Sequence, residues 1–123
     1  MNNPITIAID AMGGDNSPDK VIEGISLHLK TSKNVNYKIF GNENLINPLI
    51  KKYNLSQDKF NLIHTDKKVD GEDTALSAAK KGKDTSLWLA IESLKEDEAD
   101  AIVSAGNTGA LFLISKLNLK MIE

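Results

Sequence analysis

Twice in this chain a short apolar run ends in glycines and gives way to a segment of helical period: DAMGGD over Asp10 to Asp15, and SAGNTGA over Ser104 to Ala110. A strand that turns into a helix within a few residues is the building unit of a parallel sheet, because the chain must cross back over the sheet before the next parallel strand begins. The glycines permit positive φ. They also leave backbone N–H groups free at the positive end of the following helix dipole, where an anion is favoured. Two such junctions, at the ends of the first and last strands, point to a shared pocket for a phosphorylated ligand. Tight turns alone are the plainer use of the same glycines, and for either loop by itself the two readings stand level. Neither loop matches the dinucleotide fingerprint or the nucleotide phosphate loop, so nicotinamide and ATP sites are unsupported.

Between the loops the pattern alternates. Ile5 to Asp10 is β-branched and reads as a strand. Ser17 is the expected cap and Pro18 the expected first residue of a helix in which Val21, Ile22, Ile25 and Leu29 recur to about Lys30. Tyr37 to Phe40 reads as a second strand closed by Gly41, and Glu43 to Tyr53 as a helix that Pro48 weakens. Phe60 to His64 reads as a third strand, followed by a polar, turn-rich stretch from Thr65 to Asp73. Helical pattern resumes over Thr74 to Lys81 until Gly82, and again where Leu87, Ala90, Ile91 and Leu94 share a face. Ala101 to Ser104 is the fourth strand, and the second glycine loop leads into a helix from Ala110 to Lys116. The prediction is a single α/β domain over residues 1–123: a Rossmann-like three-layer α/β/α arrangement with a mostly parallel sheet of about four strands and right-handed crossovers. In such sheets ligands sit outside the carboxyl ends of the strands. Both glycine loops and His64 fall on that edge.

Charge narrows the ligand. The net charge of −2 argues against a nucleic-acid partner. There are no cysteines, which removes disulfides, thiolate nucleophiles and Cys-ligated metals; no cofactor and no metal is expected. No apolar stretch approaches the ~20 residues of a membrane span, and the polar start MNNP does not read as a signal peptide, so the expected location is cytoplasmic. All 15 basic residues are lysine. Nucleotide bias in the gene accounts for that most simply, yet its consequence is physical: no guanidinium fork is present to grip phosphate in two places. Backbone N–H groups, hydroxyls, amides and lysine point charges must hold it instead.

Individual residues carry competing readings. His28 lies near the apolar face of the first helix and reads as a half-buried packing residue. His64, at a strand end, is the candidate for proton transfer because histidine titrates near neutrality, although a structural role is commoner for a lone strand-end histidine. Lys80, Lys81 and Lys83 read as a solvated face, or as part of an anion site with Asp84, Thr85 and Ser86, which are also able to cap the next helix. Trp88 lies off the helix's apolar stripe, marking an interface or covering a neighbour. Ser104 lacks the setting of an activated serine nucleophile.

Three segments resemble one family. IAIDAMGGD (Ile7 to Asp15) with Pro18 after it, KDTS (Lys83 to Ser86) and EADAIVSAGNTGAL (Glu98 to Leu111) are similar to the opening, the basic-serine motif and the most distinctive stretch of the bacterial phosphate acyltransferase family, PlsX. His64 falls where that family commonly has histidine. The resemblance runs from about Ile5 to the end. It implies transfer of a long-chain acyl group from acyl carrier protein to inorganic phosphate, giving acyl phosphate for phospholipid synthesis, with no covalent acyl-enzyme required. On that implication Gly13, Gly14, Asp15 and Asp10, together with Ser104, Gly106, Thr108 and Gly109, belong to the phosphate- or oxyanion-binding set. Ser86 and Asn107 add hydrogen bonds, Lys83 offsets charge, and His64 protonates the leaving thiolate.

The family's members are longer, with further strands and a helical region tied to dimerisation and membrane contact. The resemblance therefore implies an amino-terminal portion whose sheet has an open edge, marginally stable and weakly active or inactive alone. It also departs from the family in carrying lysines where the basic run usually has arginines. Two other readings stand beside acyl transfer to phosphate: a non-catalytic phosphate-binding remnant, and a phosphotransacetylase-like enzyme using acyl-CoA.

Overall fold

The computed structural model describes residues 4–14, 17–32, 34–69, 73–82 and 84–104. Its elements run β1 (Ile5–Asp10), α1 (Asp19–Thr31), β2 (Val35–Gly41), α2 (Glu43–Lys52), a 3-10 turn (Gln57–Lys59), β3 (Phe60–His64), α3 (Ala75–Lys80), α4 (Ser86–Lys95) and β4 (Ala101–Ser104). The four strands form one sheet in the order β3-β2-β1-β4, and every pairing is parallel. The chain steps outward from β1 through β2 to β3, then returns through α3 and α4 to the far side of β1. The direction of winding reverses between β1 and β4, the position where a doubly wound sheet opens a crevice at its carboxyl edge.

The period-two alternation of the strands sorts their side chains between two layers. Ile7 and Ile9 of β1, with Val35, Tyr37 and Ile39 of β2, pack against Ile22 and Ile25 of α1 and Ile46 and Ile50 of α2. Ala8 and Phe40 on the opposite face meet Ala90 of α4 and Ala99. On the outer flank of α4, Leu87, Trp88 and Ile91 bury themselves with Val69 and with Ala78 of α3. The expected three-layer α/β/α class is what the structure shows.

Several local expectations are refined. Pro48 lies inside α2 and does not end it, because Pro48 and its neighbours Asn44 and Asn47 occupy the exposed side. There, the carbonyl that loses its partner is solvated, while Ile46 and Ile50 anchor the buried side. The side chain of Asn42 caps this helix by accepting from the Asn44 amide at 3.0 Å. Ser17 does not cap α1. Its hydroxyl donates to the Gly13 carbonyl and closes the first glycine loop, and Pro18 takes the N-cap position. His28 is an exposed partner of the Tyr37 hydroxyl, not a packing residue, with the two rings edge to face at 6.0 Å. Trp88 is buried and covers a neighbour, and its indole N–H has no partner among the described residues. The helix expected over Ala110 to Lys116 lies outside the described residues.

Candidate functional site

Asp10 is the residue on which the crevice is built. It ends β1, is only 3% exposed, and pairs in register with Phe40 of β2 on one side and Ser104 of β4 on the other. Strand alternation turns its side chain toward the α4 face, on the side opposite to Ile9. There its Oδ1 accepts from the Ser86 hydroxyl at 2.6 Å and from the Met12 amide at 3.1 Å, and its Oδ2 accepts from the Ser104 hydroxyl at 3.0 Å. One carboxylate thereby ties together the ends of β1 and β4, the start of α4 and the first glycine loop. Hydrogen bonds to a charged acceptor are the stronger kind, and this one carries three.

The first turn of α4 is fixed from several sides. Thr85, 1% exposed, is the N-cap and accepts from the Trp88 amide at 3.3 Å, while Ser86 is wholly buried. The segment after β3 lies alongside: the Ser86 amide donates to the Lys67 carbonyl at 3.0 Å, and the Thr65 hydroxyl donates to the Asp84 carbonyl. Lys67 Nζ stands 3.2 Å from the Asp84 carboxylate. Thr85 is among the residues expected to cap this helix and to join an anion site, whereas Thr65 and Lys67 were not singled out as site-forming in the sequence. Their signal was thin: Val69, the one apolar residue in a polar stretch, is the anchor that pins this segment to α4.

In the first glycine loop Gly13 is buried and Gly14 has φ +89°, a conformation that favours glycine. The loop sits on Gly41 at the end of β2. A Cβ there would lie 3.0 Å from Met12 Cγ and 2.7 Å from Ile46 Cδ1, so the missing side chain is what lets Met12 approach.

His64 lies on the same carboxyl edge but at the outer strand, about 10 Å from β1 at roughly 4.8 Å per strand. It is exposed, and its Nδ1 accepts from the Glu43 amide at 3.1 Å. Through this contact His64 caps the first turn of α2. The structure thus brings Asp10, Ser86, Ser104 and the Met12 amide to one place, with Gly13 and Gly14 following in the loop, and sets His64 apart from them. Asp15, Lys83, Gly106, Asn107, Thr108 and Gly109 lie outside the described residues. Among the described residues no group of three or more acidic or histidine side chains is arranged to hold a metal, and no helix is long and apolar enough to cross a membrane.

Electrostatics limits what Asp10 can do. Two like charges about 4 Å apart repel by about 4 kcal/mol at an effective dielectric of roughly 20. A phosphate in contact with this carboxylate is therefore disfavoured, whereas one held by the groups that Asp10 positions is not. The hydroxyl protons of Ser86 and Ser104 are directed at Asp10, which makes both serines struts of the crevice.

Fold and crevice together define an open, doubly wound α/β domain with its polar site at the switch point. The chain belongs to the fatty acid synthesis protein family, whose profile matches residues 5–123. It is 54% identical to a phosphate acyltransferase of Pelagibacter ubique over all of this chain and 36% of that protein. It is 40% identical to one of Rhodospirillum rubrum over 98% of this chain and 34% of that protein. A Streptococcus uberis phosphate acyltransferase is 44% identical over 85% of this chain and 30% of its own length. The chain spans about a third of the length of these curated relatives.

Proposed function

We propose that this chain supplies the phosphate-holding side of a cleft in which an acyl group passes from the thioester of acyl carrier protein to inorganic phosphate. The observation that carries this reading is the Asp10 carboxylate binding Ser86 and Ser104 at once, since that contact fixes the first glycine loop and the first turn of α4 on one crevice. Helix α4 aims its positive end at the edge where the loop amides lie, an arrangement suited to an anion. The lysine-only composition assigns the grip to those amides, with Lys83 and the second glycine loop completing it.

In the reaction a phosphate oxygen attacks the thioester carbonyl carbon. The new C–O bond forms, the carbonyl oxygen gathers negative charge, and the C–S bond then breaks. Loop amides placed before the reaction stabilise that oxyanion without reorganising. Hydrogen phosphate carries the proton that the departing thiol takes up, so the exchange balances without an acid from the protein. On this account the step draws no proton from His64, which lies at the outer strand.

The test is a chimera in which residues 1–123 replace the matching third of the Pelagibacter ubique relative. Thiol release from palmitoyl-acyl carrier protein is followed, and hydroxylamine traps the acyl phosphate. The expected result is phosphate-dependent release that Asp10→Ala abolishes. A chimera that binds phosphate but releases no thiol, beside an active parent, sinks the reading in favour of a binding remnant. Turnover of short acyl-CoA alone sinks it in favour of a phosphotransacetylase-like enzyme.

A further inference from the structure

A second feature reaches the same sheet edge from the opposite face. Between α1 and the β1–β4 half of the sheet runs a groove of about 460 Å³, within the range of small-molecule sites. Its floor is Ile7 and Ile9 of β1 with Val103 of β4, and its wall is Val21, Gly24 and Ile25 of α1. Val103 pairs in register with Ile9 and remains 52% exposed, so no described element covers this strip. One end of the groove is lined by Asp10, where the first glycine loop begins, with Ser17 and Lys20, and the other by the His28–Tyr37 pair.

We propose that this groove holds the hydrocarbon tail of the acyl substrate, a reading that rests on the acyl-transfer function above. The occupant follows from the groove's two ends. An apolar channel with its polar lining of Asp10, Ser17 and Lys20 gathered at the end where the glycine loop begins suits an unbranched chain whose only polar atoms are at its head. A chain lying along it has its carbonyl at the glycine loop, where the oxyanion must form. The relatives are named for moving an acyl group.

Gly24 provides the handle. It sits in the middle of α1, takes no positive φ, and an added Cβ there would meet nothing within 4 Å. The backbone does not need glycine at this position, and its absent side chain widens the groove. Leucine in its place is a better helix former, so Gly24→Leu fills the groove without threatening the fold.

The experiment uses the full 123-residue chain and neutral N-acetylcysteamine thioesters of hexanoic to dodecanoic acid, read by methyl NMR. The Ile7, Val21 and Val103 methyl signals are expected to move. Affinity is expected to rise by up to about fourfold for each methylene that becomes buried, until the groove is full. Gly24→Leu is expected to weaken the longest ligand at least tenfold while Gly24→Ala falls between. Unmoved groove methyls, or Gly24→Leu binding as tightly as the parent chain, overturn the proposal. So does a concentration-dependent shift of the same methyls without ligand, which assigns the groove to a second copy of the chain. The outcomes separate the two readings. Groove binding with an inactive chimera leaves the groove standing without the transfer, and an active chimera with silent groove methyls does the reverse.

Discussion

Asp10 and Ser86, 76 residues apart in the chain, meet through a 2.6 Å hydrogen bond in which the hydroxyl donates to the carboxylate. Both are buried. Asp10→Ala strands two hydroxyls and the Met12 amide at once, and is expected to cost on the order of 3 kcal/mol in urea unfolding, against about 1–2 kcal/mol for Ser86→Ala. Because the residues share one bond, the double variant is expected to lose less than the sum of the two. Strict additivity would show that the contact contributes nothing to holding α4 on the sheet.

Gly41 tests how the first glycine loop is seated. Adding a methyl there brings it to 2.7 Å from Ile46 Cδ1 and 3.0 Å from Met12 Cγ. Gly41→Ala is expected to destabilise the fold by about 1–2 kcal/mol through overpacking. Ile46→Val removes the nearer atom, so Gly41→Ala with Ile46→Val is expected to be more stable than the two single costs predict. Thermal unfolding of the four proteins decides this, and a Gly41→Ala variant as stable as the parent removes Gly41 as the seat of the loop.

The strands were legible because β-branched runs are short and bounded: β1, β3 and β4 begin and end where the sequence pattern places them, and only β2 extends further, to Val35 and Gly41. Asp10, Ser86 and Ser104 were each legible as members of a polar edge. Their union through one carboxylate was not, because it depends on the register of β1 with β4, a pairing across 94 residues that no local pattern encodes. The segment from Thr65 to Val69 was illegible for a different reason. It has neither helical nor strand period, and it is held by backbone contacts to Asp84 and Ser86 that only the folded chain brings near. Pro48 misled because its cost depends on which side of α2 it occupies.

His64 separates a capping role from an acid role. Its Nδ1 accepts the Glu43 amide, so His64→Ala is expected to cost about 0.5–1 kcal/mol of stability, with His64→Asn recovering part of it. In the chimera the same change is expected to leave acyl-phosphate formation within about tenfold of the parent, since general acid catalysis is typically worth 10²–10⁴-fold. A larger loss, with the fold intact, makes His64 the proton donor after all.

The last prediction concerns acid. The Tyr53 hydroxyl donates to Asp19 Oδ1 at 2.6 Å, joining the start of α1 to the end of α2, and Lys52 stands 3.7 Å from the same carboxylate. The Tyr53 hydrogen bond, then the Lys52 charge, holds the Asp19 carboxyl below its ordinary value of 3.8. A carboxyl lowered in the folded state adds stability above its unfolded value, and that contribution disappears as the pH falls through the folded value. Asp19→Asn is therefore expected to be less stable than the parent at neutral pH, and the gap is expected to close below pH 3.8. Salt is expected to shrink the part due to Lys52 and spare the part due to the tyrosine, because the ion pair is exposed. Urea unfolding across this range, with Tyr53→Phe alongside, checks both, and a gap that persists in strong acid would show that Asp19 acts by packing and not by charge.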